Sequence, residues 1–94
     1  LYKRQVLDLI TKSKSLHILM ILDRNAEPLR FSQIKTAVDS SSTTVSRRLK
    51  ELEDDGLVLR KFLIDDNTIT YELSEDGKLL SPIMQDLYDW SDSR

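Results

Sequence analysis

Residues 40–58 read SSSTTVSRRLKELEDDGLV, a stretch with one apolar side and one cationic side. Any fold of this chain must bury the first side without covering the second. Val45, Leu49 and Leu52 recur at i, i+4 and i+7, the spacing of one face of a helix. At about 100° per residue they fall within about 40° of one another, while Thr43, Arg47 and Lys50 gather on the far side. Thr44 and Ser46 flank that group, and Arg48 sits nearer the boundary. Ser41 stands where an N-cap hydroxyl would accept from an orphan backbone N–H. Gly56 offers the left-handed residue that stops the helix. The spacing therefore predicts a helix over about Ser42 to Asp54 whose outward face carries hydroxyls and cations. Such groups can hydrogen-bond base edges and phosphate oxygens, although many cationic helix faces are simply solvated.

The rest of the chain supplies what this helix packs on. Residues 1–11 form an amphipathic segment with Tyr2, Val6, Leu9 and Ile10 on one face. A helix over residues 14–24, with Ser13 as its expected cap, holds Leu16, Ile18, Leu19, Met20, Ile21 and Leu22 and has little polar surface, so it is expected to be central. Whether these two segments are one helix or two stays open at this point. Asn25 to Pro28 is a loop, and Leu29-Arg30 a short strand. Ser32 is the expected cap of a short helix over residues 33–38, with Ile34, Ala37 and Val38 as its apolar face. Asp39-Ser40 then turns the chain into the next helix, giving a helix-turn-helix. Residues 57–64 and 69–73 read as two strands joined by an Asp-Asp-Asn-Thr turn, a hairpin placed where a winged helix has its wing. Ser74 caps the last helical region, where Leu79, Leu80, Ile83, Met84, Leu87 and Trp90 make a broad apolar stripe. Pro82 is expected to kink that region or divide it.

Composition narrows the function classes. Ninety-four residues with 39% apolar and 32% charged side chains suit a single domain, here residues 1–94. There is no cysteine and one histidine, His17, so thiol chemistry and a histidine-rich metal site are excluded and no cofactor is expected. Glu51, Glu53, Asp54 and Asp55 are spread over different helix faces and read as a solvated, salt-bridged helix end. Their charge opposes the helix dipole, which suggests basic partners elsewhere. No nucleophile–base pair and no Gly-rich phosphate loop is visible, so an enzyme has no support. No apolar run of membrane-spanning length and no signal-peptide pattern occurs, and the cytoplasm is the expected compartment. The net charge is −2, but residues 1–50 hold ten Lys/Arg against four acids, +6, and residues 51–94 hold four against twelve, −8. A local basic face can bind phosphate despite the acidic total, because charges beyond about 10 Å are screened at ordinary salt.

Arg30-Phe31, the run from Arg48 to Val58, and the segment from Tyr71 to Gly77, followed by Pro82 and Trp90, together resemble the HxlR-type branch of the MarR-like winged-helix transcription regulators. The resemblance covers about residues 14–90. It implies an α+β, mostly α fold: a winged helix-turn-helix with a β-hairpin wing and terminal helices forming a dimer interface. It implies a sequence-specific regulator that binds double-stranded DNA as a homodimer, on an inverted-repeat operator, with the recognition helix in the major groove. Two departures stand out. Family members commonly carry an N-terminal cysteine, used by some as a sensor, and these 94 residues have none. The wing tip, Asp65-Asp66, is acidic and would be repelled by phosphates.

The expected DNA-binding set is therefore Ser42, Thr43, Thr44, Ser46, Arg47, Arg48 and Lys50 on the recognition helix, Ser32 and Gln33 before it, and Arg60 and Lys61 at the base of the wing. The expected dimer set is Tyr2, Val6, Ile10, Ile83, Leu87, Tyr88 and Trp90. Two other uses compete: a sequence-tolerant architectural DNA binder, and a winged helix used only for protein contacts, which the acidic wing favours.

Overall fold

The computed structural model describes residues 3–94. Tyr2, placed above in the dimer set, lies outside the described residues. The chain runs through α1 (Arg4–Ile10), α2 (Ser15–Arg24), β1 (Leu29–Arg30), α3 (Phe31–Val38), α4 (Ser42–Asp54), β2 (Val58–Leu63), β3 (Thr68–Leu73), α5 (Glu75–Lys78) and α6 (Ser81–Asp92). The fold is a winged helix-turn-helix: mostly helical, with one antiparallel sheet ordered β1-β3-β2.

The two N-terminal segments are separate helices. α1 closes with the Thr11 hydroxyl donating to the Leu7 carbonyl at 2.7 Å, and α2 starts anew at Ser15. Ser13 is not the cap of α2. That position belongs to Lys14, in the left-handed region at φ 73° and without a side-chain cap bond. α2 is the central helix. Ser15, Ile18, Leu19 and Leu22 are buried, and Leu16, Met20 and Ile21 are half-buried, while His17 is exposed. Around it, Ile34 and Val38 of α3, Val45, Leu49 and Leu52 of α4, Leu57, Val58 and Leu73 of the wing's base, and Met84 of α6 complete one apolar cluster. Each fully buried aliphatic side chain of this kind contributes about 1.5–3 kcal/mol relative to exposure. Val45, Leu49 and Leu52, all at or below 1% exposure, therefore make a large share of what seats α4.

α3 begins earlier than its sequence pattern indicates. Arg30 is its N-cap, and Gln33, three residues on, turns its Oε1 back to accept from the Arg30 N–H at 2.8 Å. This is half of a capping box, and it displaces Ser32 from the capping role. Asp39, at φ 50°, makes the turn into α4, a conformation that Asp tolerates better than most residues.

The hairpin forms with Val58 opposite Leu73, Arg60 opposite Tyr71, Lys61 opposite Thr70 and Leu63 opposite Thr68. Its strands run one residue off the sequence reading at the tip, where Asn67 takes the positive φ that the turn needs. Pro82 sits in the first turn of α6, where its missing N–H costs nothing. The C-terminal region is thus divided into α5 and α6. Among the described residues no helix is long and apolar enough to cross a membrane.

The wing is locked to the body at one joint. Ser74 N donates to the Leu57 carbonyl at 3.0 Å, the Ser74 hydroxyl donates to the Gly56 carbonyl, and that hydroxyl accepts from Gly77 N at 3.0 Å. A Cβ on Gly77 would stand 2.2 Å from the Leu57 carbonyl oxygen. The obstructing oxygen belongs to the backbone, so it cannot swing aside as a flexible side chain would. Gly77→Ala is expected to lower unfolding stability by about 1–3 kcal/mol or more, the range for overpacking a tight site. Urea denaturation would check this, and an unchanged midpoint would show that the joint can open without cost.

Candidate nucleic-acid interface

α4 is positioned by three separate devices. Val45, Leu49 and Leu52 fix which way it faces. The Ser41 hydroxyl accepts from Thr44 N at 3.2 Å and lies 3.1 Å from the Thr44 hydroxyl, which fixes the start of its first turn. The third device joins two distant parts of the chain. Arg48 Nε donates to the Ser13 carbonyl at 3.0 Å, and its Nη1 reaches Glu51 Oε1 at 2.7 Å. Glu51 Oε2 in turn accepts from Lys12 Nζ at 3.0 Å. The corner between α1 and α2 is thereby clamped to the side of α4.

That clamp bears on one expected site residue. Arg48 is not an outward cation: its side chain is 15% exposed and its guanidinium is committed to Ser13 and Glu51. It braces α4 against the corner between α1 and α2. Glu51 is the helix-end acid whose partners the sequence left unnamed. Its carboxyl is held below the ordinary 4.5, first by the hydrogen bond from Lys12, against a desolvation effect in the other direction, and then by Arg48.

What remains outward is a compact group. Ser42, Thr43, Ser46, Arg47 and Lys50 are exposed on α4, and Ser32 and Gln33 are exposed on α3. Among the described residues Arg47 enters no ion pair or side-chain hydrogen bond. Lys50 pairs with Asp54 one turn on, at 2.9 Å, with both side chains well exposed. That hydrogen bond, then the charge of Asp54, raises the Lys50 pKa, while Arg60 works against the rise. Arg60 is therefore an electrostatic neighbour of Lys50.

Arg60 and Lys61, treated above as equivalent, are not. Successive strand residues point to opposite faces. Arg60 shares the face of Val58, toward α4, whereas Lys61 is on the other face and pairs with Glu72. Thr44 and Gln33 also differ from their neighbours, because each already serves a helix cap through one polar atom. Among the described residues no group of three or more His, Cys, Asp or Glu side chains is placed to hold a metal ion.

The terminal helices present a second surface. Leu79, Ile83, Leu87 and Trp90 are all exposed, Ile83 at 57% and Trp90 at 59%. Leu80 and Met84, from the same sequence stripe, turn inward. Tyr88 is half-buried, with the Arg24 guanidinium 3.7 Å above its ring. Val6 and Ile10 pack partly on the chain's own core. Leu7, absent from the sequence-based set, is exposed on α1.

A model of HxlR-like helix-turn-helix proteins matches residues 9–94. The chain belongs to the HxlR-like helix-turn-helix family. Its relatives include YvaP of Bacillus subtilis, an uncharacterised HTH-type transcriptional regulator, 39% identical over 64 residues that cover 66% of this chain and 59% of YvaP. A second uncharacterised HTH-type transcriptional regulator, from Halalkalibacterium halodurans, is 34% identical over 75 residues, 78% of this chain and 66% of the relative. The chain thus spans less than two thirds of the length of either. Among solved structures, a possible HxlR family transcriptional factor from Thermoplasma volcanium superposes with a TM-score of 0.84 at 30% identity, covering 94% of this chain and 79% of that one. The reduced form of the B. subtilis regulator YodB superposes at 0.81 with 28% identity, covering 95% and 87%. These HxlR-like relatives are transcription regulators rather than enzymes.

The clamp on α4 has a pH signature. A depressed folded-state pKa at Glu51 adds stability above the ordinary value of 4.5 and loses it as pH falls through the depressed value. Because Glu51 is partly solvated, the effect is small, about 0.5–1 kcal/mol. Glu51→Gln is expected to be less stable than the native chain by that amount at pH 7, with the difference closing below pH 4.5. Urea titrations at both pH values would check it, and a constant difference would assign the loss to packing.

Proposed function

We propose that this chain is a sequence-specific, double-stranded-DNA-binding transcription regulator that acts as a homodimer. The observation that carries the reading is the state of α4. Its apolar side is fully buried, its flank is clamped, and Arg47, with Ser42, Thr43, Ser46 and Lys50 beside it, is left exposed without an internal partner among the described residues. Membership of the HxlR-like family, whose relatives are HTH-type transcriptional regulators, supports the same reading.

The proposed docking follows from shape and charge. A helix fits the B-DNA major groove, where arginine can meet guanine O6 and N7 with two hydrogen bonds. Arg47 is the candidate reader of a base edge. Thr43, Ser42 and Ser46 lie at the start of α4, where free N–H groups already favour phosphate. Arg60 and Lys50 offer paired positive charge to the backbone, and Ser32 and Gln33 contact it from α3. The acidic tip, Asp65-Asp66, stays off the phosphates.

A homodimer is supported by the apolar row of Leu79, Ile83, Leu87 and Trp90, which this chain leaves uncovered. Joining two copies through their terminal helices would set two α4 helices against half-sites one turn apart, about 34–36 Å. That geometry selects an inverted repeat.

Competition binding tests the whole reading. A duplex selected from a random pool is expected to be bound at least about a thousandfold more tightly than random DNA, and to lose most of that advantage when cut to one half-site. Equal affinities would favour an architectural binder, and no binding to either would favour a protein-contact role. Arg47→Ala is expected to cost about 1–3 kcal/mol on the selected duplex and to relax preference at one base pair per half-site. An unchanged preference would remove Arg47 from base readout.

A further inference from the structure

The outward stripe of α4 ends in an acid. At about 100° per residue, Thr43, Arg47, Lys50 and Asp54 fall within about 60° of one another. Glu51, Glu53 and Asp55 lie about 80° or more from Thr43, so Asp54 is the one acid of this helix end on the stripe proposed to meet DNA. The position is unfavourable on two counts. A carboxylate in the last turn opposes the helix dipole. It also stands only about 10 Å along the axis from Arg47, within the range at which a bound phosphate would repel it. Its partner in the fold is Lys50, at 2.9 Å, with the two side chains 69% and 61% exposed. The charge of Arg60, on the wing's face toward α4, acts on Lys50 in the opposite sense.

We propose that Asp54 is a specificity-determining residue of the DNA interface, an internal competitor that keeps Lys50 from the phosphates of unselected DNA. The role rests on the DNA-binding reading above. On DNA without the right sequence, attraction is essentially between protein cations and phosphates. Arg47 meets no matching base edge there, α4 is not drawn into the groove, and Lys50 keeps the carboxylate one turn on. The pair then adds no net charge to the attraction. On the selected duplex the bases hold Arg47, and the seated helix brings a phosphate to Lys50. An exposed ion pair is weak, so Asp54 is displaced there at little cost and its carboxylate turns to water. Discrimination is a difference of two affinities, and it widens when the wrong complex is weakened.

The neighbouring acids differ from Asp54 in ways that make them controls. Glu51 lies off the stripe and is engaged through both oxygens, by Arg48 and Lys12. Asp55 is exposed, carries the same charge one position on, and enters no ion pair among the described residues. If the acid mattered only through its charge near DNA, Asp55 would serve as well as Asp54. A role exercised through Lys50 belongs to Asp54 alone.

Competition binding of variants to the selected duplex and to random DNA tests this role. Asp54→Asn is expected to tighten binding to random DNA about threefold at low salt, and to steepen the slope of log K against log salt by about 0.9, the increment for one added phosphate contact. Affinity for the selected duplex is expected to move much less, so the ratio of the two falls about threefold. Asp54→Glu keeps a carboxylate four residues from Lys50 and is expected to restore the native ratio. Asp55→Asn removes an equal charge off the stripe and is expected to leave the ratio unchanged. In a Lys50→Gln background, Asp54→Asn is expected to lose its effect on the ratio, because the cation it acts through is gone. A native chain that prefers no duplex would sink the DNA-binding reading and this role together. A native chain that does prefer one, with a ratio that Asp54→Asn leaves unchanged, that Asp55→Asn lowers equally, or that still falls in the Lys50→Gln background, would overturn this role alone.

Discussion

Burial of Val45, Leu49 and Leu52 against α2 fixes the rotation of α4, and the surface chemistry of the molecule follows from that rotation. Three side chains at or below 1% exposure leave no freedom for the helix to turn about its axis without opening the core. Large-to-small changes at such sites cost about 2–5 kcal/mol, a sizeable fraction of what a domain of this size has in total. The cationic and hydroxyl side chains are outward because the aliphatic ones cannot be. The cap at Ser41 and the clamp from Arg48 and Glu51 add only modest energy, but they act at the first turn and on the flank, where the buried residues exert least control.

The clamp also divides the labour among like residues. Five cations on α4 and the wing have similar standing in the sequence, and the fold gives them different tasks. Arg48 is a strut between α4 and the α1–α2 corner. Lys61 is tied to Glu72 on the outer face of the wing. Lys50 is loosely paired and sits beside Arg60. Among the described residues Arg47 alone of the α4 cations is left without an internal partner, so it is the group with most to gain from an external acceptor. Exposed pairs such as Lys50–Asp54 are worth little and exchange readily for a phosphate.

Much of this was legible from residue order. The i, i+4, i+7 row, the Ser41 cap, the Gly56 stop, the hairpin and the break at Pro82 are local features, each set by residues within a turn or two of one another. The contacts that the sequence could not give are between residues far apart. Lys12 and Glu51 are 39 positions apart, and a helical wheel holds no information on which long side chain meets a carbonyl across a corner. Arg48 sits at the boundary of the wheel, where solvent and neighbour are equally near, so its direction depended on where α1 stopped. Ser32 lost its capping role for a related reason. A helix start chosen by sheet pairing of Leu29 and Arg30 with β3 moved the first turn forward and handed the cap to Gln33.

The most direct test of the account is a titration of isotope-labelled protein with a selected duplex, followed by backbone amide and arginine side-chain NMR. The account predicts the largest shifts at residues 42–47 and at the Arg47 guanidinium, with the Arg48 guanidinium signal unchanged in its contact with Ser13 and Glu51. Shifts centred instead on α6 or the wing tip, with the amides of 42–47 unmoved, would contradict it.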